Sequence, residues 1–259
     1  MVRALLVRGM LVGVVAGLLV FGFSKVFGEP QVDRAIAFET ALDEARPRAH
    51  QATGALVPQA EPELVSREVQ ATSGLFVGVM VYSAAFGGLF ALVFACTNGR
   101  VGELSPRAVS ALLAGGGFIA IYVVPTLKYP ASPPSVGEPE TIGYRTALYF
   151  LMMLISIAAM VAAIIMRQRV VSRYGAWSAA LMAAGFYIAV ITLAQLLLPA
   201  INEVPDGFPA EVLWKFRIAS LGMQFVMWAA IGLLFGALTE RTMRAGRFPV
   251  KGRLQAVSR

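Results

Sequence analysis

The sequence is poor in the residues on which most soluble enzymes and metal proteins depend. It has one cysteine, Cys96, and one histidine, His50, in 259 residues. A single cysteine excludes an intrachain disulfide and a thiolate metal cluster, and a single histidine excludes a multi-imidazole site built by this chain alone. Charge is scarce as well. Asp, Glu, Lys and Arg make up 14% of the chain, against about 25% in an average soluble protein. With 58% hydrophobic residues and a mean hydropathy of +0.70, a soluble globular fold is excluded. Several catalytic signatures are also missing. There is no Gly-x-x-x-x-Gly-Lys-Ser/Thr loop and no His-Glu-x-x-His helix. Gly115-Gly116-Gly117 lies inside an apolar run and follows no strand, so it is no dinucleotide loop. Ser73, Ser83 and Ser156 have no His within the apolar runs to activate them, and the one Lys there, Lys25, is at the surface end of the first. The chain is therefore expected not to be an enzyme, and His50 reads as a solvated bystander.

What the sequence does have is long apolar runs. A membrane-spanning helix needs ~20 mostly apolar residues, and six such runs occur, at about 5–26, 71–97, 108–127, 146–166, 176–198 and 218–239. The first reaches spanning length only if Leu5, Leu6 and Val26 are added, with Arg8 and Lys25 extending toward the two surfaces. None of the six carries an ionisable residue near its middle, where one costs about 2.5–3.5 kcal/mol on insertion scales. The expected fold class is an all-α integral membrane protein: a six-span bundle forming a single domain over 1–240, followed by a basic cytoplasmic tail over 241–259.

The charges set its orientation. With the N-terminus inside, the inner segments hold Arg3, Arg8, Arg100, Arg107, Arg167, Arg169, Arg173, Arg241, Arg244, Arg247, Lys251, Arg253 and Arg259 against only Glu103 and Glu240. The outer segments hold the other thirteen acidic residues, from Glu29 to Glu211, and nine basic ones. Positive-inside bias thus predicts both termini in the cytoplasm. It also explains the net charge of +7 through lipid headgroups rather than nucleic acid. The stretch Phe23-Ser24-Lys25-Val26-Phe27-Gly28 lacks a small-x-small cleavage site, so the first span is expected to stay attached rather than leave as a signal peptide.

Outside the spans, the periplasmic loop 28–70 opens with Pro30 and then places Val32, Ala35, Ile36, Phe38 and Leu42 at helical spacing, which predicts a helix on the membrane surface. Residues 47–62 read as a flexible loop. Glycines at four-residue spacing mark close helix contacts: Gly9, Gly13 and Gly17 on the first span, Gly74 and Gly78 on the second, Gly232 and Gly236 on the sixth. Tyr144-Arg145-Thr146-Ala147 recurs as Phe216-Arg217-Ile218-Ala219, and Arg169 recurs as Arg241, both 72 residues later. One reading is three helical hairpins of the same orientation, a parallel repeat. The other is that each hairpin needs an arginine at each membrane surface.

The candidate site lies on the outer face. The first, third and fifth spans are followed by Gly28-Glu29-Pro30, Gly137-Glu138-Pro139 and Asn202-Glu203-Val204-Pro205-Asp206. Each delivers a carboxylate beside a proline that stiffens the backbone. Asp33 lies four residues beyond Glu29 on the same helix face, and Glu140 accompanies Glu138. Clustered carboxylates with an amide oxygen are hard-cation ligands, or a funnel for a hydrated divalent cation. Glu29, Asp33, Glu138, Glu140, Asn202, Glu203 and Asp206 are the candidate metal-binding residues. The competing reading makes them ordinary solvated loop acids.

Three stretches, residues 25–36 (KVFGEPQVDRAI), 128–150 (KYPASPPSVGEPETIGYRTALYF) and 202–222 (NEVPDGFPAEVLWKFRIASLG), resemble the CbtA family of proposed cobalt transporter subunits. The similarity extends from Met1 to about Arg241. The resemblance implies a bacterial inner-membrane protein that acts with CbtB, a small single-span partner with a histidine-rich end, in cobalt acquisition for cobalamin synthesis. It carries no established ligand set. Cobalt(II) prefers imidazole to exposed carboxylate, and this chain has no imidazole cluster. Either a partner supplies the histidines, or the ion crosses largely hydrated. No resident cofactor is expected, with cobalt(II) or a related divalent cation as substrate. A membrane scaffold or assembly factor that binds another membrane protein stands as the alternative to transport.

Overall fold

The computed structural model describes residues 2–53, 65–100, 104–134 and 136–246, with side chains described except at 43–53 and 245–246. Glu103, His50, most of the loop read at 47–62 and the tail beyond 246 lie outside the described residues or side chains. All regular structure among the described residues is helical: α1 (Val2–Phe23), α2 (Glu29–Thr53), α3 (Arg67–Val69), α4 (Leu75–Thr97), α5 (Pro106–Gly117), α6 (Val124–Lys128), α7 (Ile142–Leu197) and α8 (Ala210–Gly246). Wider π turns join α1 to α2 at Ser24–Gly28, α3 to α4 at Gln70–Gly74, and α5 to α6 at Phe118–Val123. The last of these has a local cause. Pro125 has no N–H to give the carbonyl four residues back, and its ring crowds that carbonyl, so the ladder opens.

Among the described residues, five helices are long and apolar enough to cross a membrane: Val2–Leu42, Arg67–Thr97, Pro106–Lys128, Pro139–Leu197 and Ala210–Arg244. The fourth contains two of the expected apolar runs. Inside it Gly175 has φ 77° and ψ 165°, outside helical space and in a region that essentially only glycine occupies. The hydroxyls of Ser156 and Tyr187, on either side of that break, are 2.8 Å apart. The helix therefore doubles back at Gly175 into two legs.

The expected helix after the first span is present. It follows α1 directly through the π turn and runs to Thr53, past Pro47, where the sequence suggests loop. The sixth apolar run continues as helix to Gly246, so the first residues of the basic tail are helical too.

The chain divides into two compact units, one of 1–23, 67–116 and 223–259, the other of 24–66 and 117–222. They cut across consecutive helix pairs instead of following them.

In the first unit, α1 and α4 meet backbone to backbone. A Cβ built on Gly9 would stand 2.3 Å from the Gly87 carbonyl oxygen, one on Gly13 2.2 Å from that of Ser83, and one on Gly87 2.2 Å from that of Gly9. Glycine is required on both sides of this crossing, as the sequence spacing predicts for α1. The partner differs from expectation. Gly78 has nothing within 4 Å of such an atom, and Gly74 meets only Val69, five residues back in its own helical segment. The glycine that matters on the second span is Gly87. Gly232 and Gly236 do make close contacts, with Ala114 and Ser110 of α5, and Ser110 Oγ donates to the Gly232 carbonyl at 2.7 Å. Near the other end of these helices Glu240 binds Arg107 at 3.4 Å and Arg244 at 2.5 Å, while Arg8 donates to Thr239 at 3.2 Å.

In the second unit, Val124 and Tyr129 pack against Leu148, Met152, Ala159, Ile191 and Ala194 from both legs of α7. Polar links pin the end of α6 to the second leg: Lys128 Nζ donates to the Gln195 carbonyl at 2.6 Å, and Tyr129 Oη to that of Pro199 at 2.9 Å. A smaller cluster joins Ala35 of α2, Val136 and Phe208, with the Phe38 and Phe208 rings edge to face at 5.0 Å.

Candidate functional site

The connections that leave the first, third and fifth apolar runs come together in the second unit, at the cluster of Ala35, Val136 and Phe208. The first continues into α2 through the π turn, while prolines keep the other two from continuing as helix. Residues 130–139 contain Pro130, Pro133, Pro134 and Pro139, and the turn at 205–207 pairs Pro205 with Gly207 at φ 80°.

One carboxylate ties two of these connections. Glu203 Oε2 accepts the Glu138 N–H at 2.9 Å and the Thr141 hydroxyl at 2.9 Å, and pairs with Arg145 Nε at 3.2 Å. Arg145 reaches this position across Gly137, which has φ 109° and where a Cβ would fall 2.2 Å from Arg145 Nη1. The backbone at 137 thus needs glycine twice over, for its dihedral and for the guanidinium lying on it. Arg145 Nη2 also donates to the Glu138 carbonyl at 3.2 Å. The Glu138 N–H, then the Thr141 hydroxyl and the Arg145 charge, hold the Glu203 carboxyl below its ordinary value, outweighing partial burial.

The remaining candidates sit around this staple. Glu29 opens α2 and is half-buried, and Asp33 lies exposed one turn on. Glu138 contributes backbone to the staple while its residue surface is exposed, and Glu140 is exposed in the following 3-10 turn. Asn202 and Asp206 are exposed on either side of Glu203. The three segments are neighbours, yet among the described residues no three His, Cys, Asp or Glu side chains stand close enough to hold a metal ion. Glu203 Oε2 already accepts two protein hydrogen bonds and stands beside a guanidinium, which leaves that oxygen little capacity for a cation.

A cavity of about 500 Å³ opens beside the staple. Its wall includes Tyr122 from the π turn, Tyr129, Arg145, Asn202, Glu203 and Arg217. Arg217 donates from Nε to the Ala131 carbonyl at 3.4 Å. Arg145, Thr141 and Arg217 were not among the residues expected from sequence to form a site. The 72-residue recurrence of Arg145 as Arg217 was the available signal, and the structure places both arginines on one cavity.

The family model described as "Probable cobalt transporter subunit (CbtA)" matches residues 2–240. The chain belongs to the CbtA family. The match spans the first four apolar helices, the fifth as far as Glu240, and every residue of the staple and cavity. No curated protein and no solved structure matches the chain. Membership makes this a transporter-subunit family rather than an enzyme family, and the word subunit implies other components.

Proposed function

We propose that the chain is the integral-membrane subunit of an uptake system for cobalt(II) or a related divalent transition-metal cation. The observation that carries this reading is the family match over residues 2–240. In this reading the protein crosses a bacterial inner membrane six times with both termini cytoplasmic, the two legs of α7 each counting as a span, and α2 lies on the periplasmic side. The charge asymmetry and the turn at Gly175 support that topology.

Glu29, Asp33, Glu138, Glu140, Asn202, Glu203 and Asp206 form the outer rim that collects the cation. The packing of Ala35, Val136 and Phe208 supports it, because it brings the backbones of the three acidic segments together. Asp33, Glu138, Glu140 and Asp206 are exposed acids, and without a closed ligand set they suit attraction of a hydrated ion better than a dehydrated cage. Imidazole ligands then come from a CbtB-like histidine-rich subunit, and the membrane potential supplies the drive. A divalent cation moving inward gains about 4.6 kcal/mol at 100 mV, twice the single-charge value.

Radioactive cobalt accumulation in cells expressing this chain, with and without the histidine-rich subunit, tests the proposal. Uptake should require this chain. The triple variant E29Q/E138Q/D206N, one acid from each connection, should lose far more uptake than any single change, and wild-type accumulation at normal expression would remove the carboxylate rim from the mechanism. Normal uptake without this chain, together with loss of a partner's stability, would favour the scaffold alternative.

A further inference from the structure

The cavity beside Glu203 has a charge pattern unsuited to a bare cation. Its lining includes two guanidiniums, of Arg145 and Arg217, and one carboxylate, of Glu203. Arg145 and Glu203 neutralise each other at 3.2 Å. Arg217 has no such partner: its hydrogen bond goes to the neutral Ala131 carbonyl through Nε, and no carboxylate among the described residues pairs with it. Its two terminal nitrogens make no hydrogen bond to any described residue. A guanidinium set in a cavity wall with its fork unpaired is matched by a planar or tetrahedral oxyanion, which takes two parallel N–H donors.

The rest of the wall fits such a guest. Asn202 and Ser132 also line it, and about 500 Å³ falls in the range of small-molecule sites. Tyr122 belongs to the π turn at Phe118–Val123 that Pro125 imposes.

We infer that this cavity binds an oxyanion, a carboxylate or phosphate group, on the Arg217 guanidinium. The inference is independent of which ion the protein transports. Two sources carry the chemistry, a soluble di- or tricarboxylate or inorganic phosphate and the phosphate of an anionic lipid headgroup.

The test uses the full chain purified in neutral detergent and in nanodiscs, with citrate, inorganic phosphate and phosphatidylglycerol as probes. Binding is read by calorimetry for the soluble anions and by native mass spectrometry for the lipid. The wild type should bind at least one probe, and R217Q should bind it at least tenfold more weakly with an unchanged circular dichroism spectrum. R217K, which keeps the charge and loses the fork, should fall between them. Citrate or phosphate binding assigns the site to a soluble anion, and phosphatidylglycerol binding alone assigns it to lipid; each supports the oxyanion site. Should R217Q fail to fold, N202W, a substitution on an exposed loop that fills the cavity, should abolish binding instead. The inference is overturned if none of the three probes binds the wild type, or if folded R217Q or N202W binds as tightly as the wild type.

Discussion

Ser156 Oγ and Tyr187 Oη are 2.8 Å apart although 31 residues separate them in the chain. At 1.5 Å per residue a straight helix would hold them about 46 Å apart. The contact therefore records a full reversal of α7, made at Gly175 where φ is 77° and ψ 165°. One hydrogen bond between two apolar legs and one glycine with a dihedral closed to other residues together make this segment a hairpin.

Gly175→Ala should therefore destabilise the protein by about 1–3 kcal/mol, the usual cost of holding a side-chain residue in such a region. Thermal unfolding in detergent measures it. A wild-type melting temperature would mean that the turn does not depend on glycine.

The Ser156–Tyr187 pair should show a coupling of about 0.6 kcal/mol, and at most about 1.7, in a double-mutant cycle of S156A and Y187F, the range for hydrogen bonds between membrane helices. Zero coupling would place the two hydroxyls apart.

For the crossing of α1 and α4, Gly13→Ala should abolish or severely lower yield of folded protein, since the new methyl would meet the Ser83 carbonyl oxygen at 2.2 Å and backbone cannot rotate aside. Gly78→Ala, with nothing within 4 Å, is the internal comparison and should be neutral. Equal behaviour of the two variants, read by size-exclusion profile and melting temperature, would contradict the crossing.

The Glu203 staple makes a prediction in pH. Its folded-state carboxyl is lowered by the Glu138 N–H, Thr141 and Arg145, so its stabilising contribution is fully present above the unfolded carboxylate value and is lost as pH falls through the lower folded value. E203Q should remove that part of the acid sensitivity while lowering stability at neutral pH. An acid-unfolding profile of E203Q identical to wild type would show that the carboxylate does not hold the two loops.

Reporter fusions give the topology. Fusions after Arg173, in the turn of α7, and at Arg259 should both report cytoplasm. A periplasmic signal at Arg259 would remove one span or invert the arrangement.

The sequence by itself determined what depends on near neighbours. Runs of apolar residues without central charge set which segments are long helices, because insertion depends on the summed transfer cost of about twenty consecutive residues. The same is true of the glycine face of α1: residues four apart in a helix lie on one side whatever the helix later meets. The prolines after residues 28 and 137 marked departures from the spans, and the stretches around them carried the family resemblance. Tertiary structure decided everything that depends on which faces meet. Spacing marked Gly74 and Gly78 as readily as any other pair, yet the partner of α1 is Gly87, because only the crossing point selects one face of α4. Glu203 read as an available carboxylate, and the structure engages one of its oxygens with the N–H of Glu138, 65 residues away, and with Thr141 and Arg145. Arg145 and Arg217 read as membrane-surface arginines in a repeat. That they line one cavity follows only from the packing of α6, α7 and the start of α8, since a repeat period says that two positions are alike and carries no information about whether the chain brings them together.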